Sequence, residues 1–185
     1  MEMFALDAKN YHVWSYRQWL VRHFGLWATE LGDVEALLKA DVRNNSAWNH
    51  RWFVVFGGPD GKGNGEGVVD REVGVAKEAI RLAPQNQSPW SYLRGVLRRS
   101  GRGLGSERGF VEGFADLGRP EEVRSSFALD FLAEVCAEDG GEGKREEARR
   151  ALDLLAERYD PIRRNYWEYR KSLLGGGQGE VSASA

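Results

Sequence analysis

The sequence predicts an all-α fold, a right-handed superhelix (solenoid) of antiparallel helical hairpins. Three observations carry that prediction. The phrase Asp7-Ala-Lys-Asn-Tyr-His-Val-Trp14-Ser-Tyr-Arg17 returns as Asp41-Val-Arg-Asn-Asn-Ser-Ala-Trp48-Asn-His-Arg51, with the tryptophans 34 residues apart. A third copy, Asn86-Gln-Ser-Pro-Trp90, and a degenerate fourth, Arg163-Arg-Asn-Tyr-Trp167-Glu-Tyr-Arg170, follow. A period of about 34 residues is the length of one helix-turn-helix unit, which buries its apolar face by stacking on neighbours.

Each element follows in order. Trp14, Arg17, Val21 and Phe24 recur at helical spacing and predict a helix over Tyr11 to Phe24, with Asn10 placed to accept from its first N–H groups. Gly25 ends it, and Leu31, Val34, Leu37 and Leu38 mark a return helix to about Ala40. The second unit repeats this, with Asn44 or Asn45 as cap, Trp48, Arg51, Trp52 and Val55 on one face, and Val69, Val73, Ala76 and Ile80 on the return helix. The glycine-rich stretch from Gly57 to Gly67 cannot hold a helix and reads as an inserted loop, which accounts for the 42 residues between Trp48 and Trp90. A third pair starts near Gln87, with Pro89 in its first turn, and returns after Pro120 through Val123, Phe127, Phe131 and Val135; Ser100 to Gly118 is poorly patterned. Lys144 to Tyr159 and Ile162 to Leu174 read as two more helices, separated by Asp160-Pro161. The units therefore fall near 7–40, 41–83, 84–138 and 144–174, with a flexible tail over 175–185.

Composition narrows the function classes. The chain is 42% apolar and 29% charged, as in ordinary globular proteins. Its 26 basic and 28 acidic residues supply no one-sided field for nucleic acid or an anionic membrane. The longest apolar runs, such as Trp52-Phe-Val-Val-Phe56, fall far short of the roughly 20 residues that span a bilayer. The first residues lack the basic start and apolar stretch of a secretory signal, and a lone Cys136 cannot form an internal disulfide, so a cytoplasmic location is expected.

The repeated tryptophans and arginines, Trp14, Arg17, Trp48, Arg51, Trp90 and Trp167, read as structural, because Trp and Arg three apart on a helix can stack. Gly57-Gly-Pro-Asp-Gly61-Lys62 imitates a phosphate-binding loop, but its spacing is one residue short and Gly63 stands where a magnesium-binding Ser or Thr is required. His12, His23, His50 and Cys136 show no metal-ligand spacing, so no metal is expected in this chain, and Cys136 reads as a buried structural thiol. The candidate site is the turn Lys9, Asn10, Tyr11, His12. It opens a helix, whose N-terminus offers N–H groups and positive dipole to an anion.

The phrase Asp-x-(Lys/Arg)-Asn-x-x-x-Trp-x-x-Arg at hairpin spacing resembles the alpha subunit of the protein prenyltransferases, most closely the subunit shared by farnesyltransferase and type I geranylgeranyltransferase. The resemblance runs from about Phe4 to Leu174. It implies a crescent of hairpins wrapped around a catalytic beta subunit that holds zinc, with magnesium also expected there. The implied reaction moves farnesyl or geranylgeranyl from its diphosphate to a cysteine near the C-terminus of a CaaX protein, and the isoprenoid is chosen in the beta subunit. The resemblance places Tyr11 and His12, flanked by Lys9 and Asn10, near the diphosphate and the substrate peptide, where donors would stabilise the leaving group's charge; a matching role for Asn44 to Ser46 is a weaker implication.

The sequence departs from that family in extent. Family members carry about five repeats, the first repeat here is similar to their third, and the lysine the family points at the diphosphate belongs to an earlier repeat. The expectation is a C-terminal portion acting as scaffold, inactive and poorly soluble alone because a solenoid cut at an internal face exposes apolar surface. The alternative is a non-catalytic helical-repeat adaptor that binds a protein or peptide; the absence of the tetratricopeptide phrase Trp-x-x-Leu-Gly-x-x-Tyr weighs against it. The alpha subunit of the Rab-specific enzyme shares the repeat but matches the second unit and the Tyr166-Trp167 helix less well.

Overall fold

A computed structural model describes residues 11–59 and 65–175. Among them every regular element is helical, as the repeat predicts, and the chain divides into two compact units at Gly101.

The first unit holds α1 (Tyr11–Phe24), α2 (Trp27–Ala40), α3 (Asn45–Phe56), α4 (Glu66–Leu82) and α5 (Gln87–Arg99). Gly25 ends α1 at φ +68°, a left-handed conformation that glycine adopts without a Cβ penalty. Asn44 caps α3, its side chain accepting from the Ala47 N–H at 3.2 Å, and Asn86 caps α5 by accepting from the Ser88 N–H at 3.3 Å. The apolar stripe of α4 is buried at Val69, Val73, Ala76 and Ile80 as its spacing predicts. Phe24 is an exception: expected on the inner face of α1, it is 61% exposed beyond the last buried position, Val21.

Pairing also differs from the predicted frame. The closest-packed neighbours are α2 with α3 and α4 with α5, joined by short loops, while α1, α3 and α5 lie side by side. The members of each predicted hairpin, α1 with α2 and α3 with α4, are tied through side chains. The long insert after Phe56 separates α3 from α4 in sequence, but α1 and α2 are joined through Gly25 and Leu26 alone, so loop length does not by itself set the pairing.

The second unit begins with a 3-10 turn, Leu104–Glu107, and the short α6 (Arg108–Glu112). This region, read as poorly patterned, buries Leu104, Val111, Phe114 and Ala115. Its glycines obscured a core that short turns can build without helical periodicity. After a 3-10 turn at Pro120–Glu122 comes α7 (Ser126–Asp139), capped by Ser125. Val123, expected in that helix, is extended. Gly140 and Gly141, both at positive φ, turn the chain into α8 (Glu142–Leu154), which packs most closely on α7. A π turn, Leu155–Tyr159, a 3-10 turn, Pro161–Arg163, and α9 (Arg164–Leu173) complete it. Because α5 lies in the first unit and α7 in the second, the hairpin expected over 84–138 is cut by the division.

Cys136 is fully buried, its thiol 3.4 Å from a Glu147 carboxylate oxygen, and burial together with that carboxylate pushes it up to about 11. It is therefore protonated at neutral pH and a poor nucleophile, as expected of a structural thiol.

Candidate functional site

Helices α3 and α5, which carry the repeated phrase, start alike. The indole N–H of Trp48 donates to the Val42 carbonyl at 2.9 Å and that of Trp90 to the Pro84 carbonyl at 2.9 Å, so each tryptophan holds down the loop that leads into its own helix. In the second unit Trp167 does the same toward the Asp160 carbonyl at 3.2 Å. Trp14, Trp48, Trp90 and Trp167 are all buried. This is a structural reason for the recurrence of Trp at a fixed distance after the cap.

Arg51 has a different partner from the one expected. Arg51 does not spend its charge on the Trp48 ring; its Nε and Nη2 donate to the two Glu72 oxygens at 2.6 and 3.0 Å. Arg17 likewise grips Glu30 at 2.8 and 3.0 Å and Asp33 at 2.5 Å. In the fourth copy a guanidinium does lie over the indole, with Arg163 and Arg170 4.9 and 6.0 Å from the Trp167 ring. Bidentate pairing to a carboxylate is stronger than stacking when both groups are buried. Glu30 and Glu72 are 6% and 0% exposed and were not singled out from sequence. Their signal was present: each is an acid on the apolar stripe of a return helix, Glu30 four residues before Val34 and Glu72 between Val69 and Val73.

Each of these carboxylates also receives the residue two after the next tryptophan. His50 Nε2 lies 2.6 Å from Glu30, and the Tyr92 hydroxyl donates to Glu72 at 2.7 Å. A carboxylate on a return helix thus ties together the first helices on both sides. Burial alone would raise Glu30 and Glu72, but their guanidinium partners outweigh it and hold both below the usual carboxylate range. Burial pushes the His50 imidazolium down against the pull of Glu30. Neutral His50 fits the geometry, since its buried Nδ1 has no partner and a second N–H there would go unsatisfied.

A pH prediction follows. The unfolded chain protonates His50 near 6.5 while the folded chain resists, so stability is full above that value and falls as pH drops below it. Glu30 and Glu72, lowered from 4.5, add a second loss as pH falls through 4.5. A thermal-denaturation series against pH is expected to show both limbs in the parent chain and only the lower one in His50→Gln.

Of the predicted site, only Tyr11 and His12 fall among the described residues, at the start of α1. Lys9 and Asn10 fall outside the described residues, Tyr11 opens α1, and His12 is exposed in its first turn. The equivalent turns of α3 and α5 show what this edge is made of. Asn86 Nδ2 donates to the Val42 carbonyl at 2.8 Å, and Ser88 Oγ donates to Asn45 Oδ1 at 3.1 Å, which locks the two helix starts side by side. Below them a cleft of about 240 Å³ runs between α3 and α5, with Asn45, Asn49, Ser88 and Ser91 as polar lining and Trp52 as an apolar wall. A Cβ at Gly95 would sit 3.0 Å from the Trp52 ring, so a larger residue there needs the indole to shift. This edge can offer helix N–H dipoles, amides and hydroxyls to an anion or a peptide. Among the described residues no group of three or more His, Cys, Asp or Glu converges to hold a metal. No described helix is long and apolar enough to cross a membrane.

Comparison with known proteins gives the following. The sequence family described as the protein prenyltransferase alpha subunit repeat matches residues 1–24, 27–57 and 69–100. The farnesyltransferase/geranylgeranyltransferase type-1 alpha subunit of Candida albicans is 41% identical over 109 residues, which are 59% of this chain and 34% of that one. Its counterpart in Dictyostelium discoideum is 35% identical over 148 residues, 80% of this chain and 45% of that one. Among solved structures, Candida albicans protein geranylgeranyltransferase-I complexed with GGPP matches with a TM-score of 0.86 and 40% identity, covering 94% of this chain and 56% of that chain. The chain spans about half the length of the curated relatives it matches.

Proposed function

This chain belongs to the protein prenyltransferase alpha-subunit repeat family, and from that premise we propose that it serves as the alpha-type subunit of a heterodimeric protein prenyltransferase. The reaction is transfer of farnesyl or geranylgeranyl from its diphosphate to a cysteine thiolate near the C-terminus of a target protein: the sulfur–carbon bond forms, the carbon–oxygen bond breaks, and diphosphate leaves with the electron pair. The beta subunit would supply the zinc and most of the cavity, with magnesium at the diphosphate. This chain would supply the scaffold and the edge of helix starts that faces the reacting groups.

The observation that supports this reading most is the joint match of fold and phrase: 94% of this chain superposes on a solved transferase chain, and in α3 the Trp of the phrase holds the helix start while its Arg ties that helix to α4. In that setting Lys9, Tyr11 and His12 act as donors to the departing diphosphate, whose negative charge grows in the transition state. The test is prenyl transfer to a CaaX peptide by this chain co-expressed with a farnesyltransferase or type I geranylgeranyltransferase beta subunit. His12→Ala is expected to lower kcat/KM by about tenfold or more while the heterodimer still forms; unchanged kcat/KM would remove His12 from the site. The second reading, a peptide-binding adaptor, has the polar cleft between α3 and α5 in its favour and would be supported by a chain that binds no beta subunit.

A further inference from the structure

We propose that a notch between α7, α8 and α9 of the second unit binds a medium-chain aliphatic carboxylate, with the hydrocarbon lying in the notch and the carboxylate taken by Arg145. The inference concerns the second unit alone and stands whether or not the chain is part of a transferase.

The notch has about 350 Å³ of space, at the small end of ligand-binding pockets. Its walls are mostly hydrocarbon. Ala133 and Ala137, one turn apart on α7, leave room that larger side chains would fill, and Leu152 of α8 with Leu173 and Leu174 at the end of α9 supply the rest. Leu173 is 60% exposed, so an aliphatic wall of a concave site stands open to water, and covering it is favourable. Two guanidiniums complete the lining, and they differ. Arg170 is satisfied by Asp130 at 2.5 Å and Glu134 at 3.7 Å. Arg145, in the first turn of α8 just after the Gly140-Gly141 turn, makes no side-chain hydrogen bond or ion pair among the described residues. The notch therefore carries one uncompensated positive charge beside an apolar interior, and no carboxylate is among its lining residues.

These features select the ligand. One free guanidinium matches one monoanion, and a planar carboxylate accepts from it through both oxygens. The lining side chains offer donors at Arg145 and Arg170 and no acceptor for an N–H. A peptide laid there would leave amide groups unpaired, whereas a hydrocarbon chain has none to pair. At roughly 30 Å³ for a group the size of water, the space admits a chain of about eight carbons with its head group at the mouth.

The experiment titrates the full chain with linear carboxylates from butanoate to decanoate and follows the amide signals by heteronuclear NMR. Shifts are expected to centre on residues 133–145 and 170–174. Affinity is expected to rise about threefold to fourfold per methylene up to about eight carbons and then to level. Arg145→Gln is expected to weaken octanoate about fivefold and to leave octanol unchanged. Ala137→Trp, at an exposed position, is expected to abolish both while the melting temperature stays within about 2 °C. The proposal is overturned if no carboxylate shifts these residues, if octylamine binds as tightly as octanoate, or if Arg145→Gln leaves octanoate unchanged or weakens octanol equally. Tighter binding of geranyl diphosphate than of octanoate would also overturn it, because the site would then answer to a polyanion. So would a gain of tenfold or more in octanoate affinity on removing residues 176–185, which would make the acidic and aliphatic pair Glu180-Val181 of this chain the occupant.

Discussion

Glu72→Ala is expected to destabilise the first unit by about 3–5 kcal/mol, because removing one partner of a buried ion pair strands the other. Arg51 is 1% exposed and would keep a full guanidinium charge with only the exposed Glu35, 3.5 Å away, to compensate. The Tyr92 hydroxyl would lose its acceptor as well, and burial beside Glu72 already raises that phenol well above its ordinary value. Both side chains of the pair are out of water, so little of the effect is screened by solvent. In a thermal melt followed by circular dichroism the shift corresponds to a fall of about 10 °C. The pattern of double variants distinguishes a stranded charge from lost packing. Arg51→Met added to Glu72→Leu is expected to recover part of the loss seen in Glu72→Leu alone, because the uncompensated charge is then gone. Additive losses would show that Arg51 and Glu72 matter for packing and not for each other.

The second large effect is Trp90→Ala, expected to cost about 3–5 kcal/mol as a large-to-small change in a closed core. Trp90 is 0% exposed in the first turn of α5 and its N–H holds the Pro84 carbonyl, so the change opens a cavity and frees the loop from Ala83 to Asn86. Trp90→Phe separates the two parts. It keeps most of the ring and leaves the carbonyl without its donor, with an expected loss of about 1–3 kcal/mol. Trp19→Ala on the exposed face of α1 is the control and is expected to change the stability of this chain by less than about 1 kcal/mol.

The repeat, the helix boundaries of the first unit and a cap at Asn44, one of two asparagines expected there, were legible in the sequence because they depend on local rules: apolar spacing, glycine after a helix, a short polar side chain before one. The core of the second unit between Leu104 and Ala115 was hidden, since single residues from short turns contribute to it and no period announces them. The role of Arg51 was misread for a related reason. Trp and Arg are neighbours on one helix and suggest a local contact, but the stronger partner of Arg51, Glu72, lies 21 residues away on another helix. An acid placed on an apolar stripe was the available clue. Of the candidate site, the helix-start geometry could be inferred from sequence, and the structure displays it at α3 and α5, where Asn45, Ser88 and Asn86 lock two starts together. The side-chain arrangement at Lys9, Asn10 and Tyr11 falls outside the described residues, so His12 alone represents the predicted turn.

An alpha-type subunit of the proposed enzyme has to hold a beta subunit stably. The most direct measurement is the mass, by light scattering after size exclusion, of the species obtained when the chain is co-expressed with a type I geranylgeranyltransferase or farnesyltransferase beta subunit. A one-to-one heterodimer that survives chromatography is the predicted result. Separate elution of two folded proteins, with the melting profile of this chain unchanged by its neighbour, would contradict it.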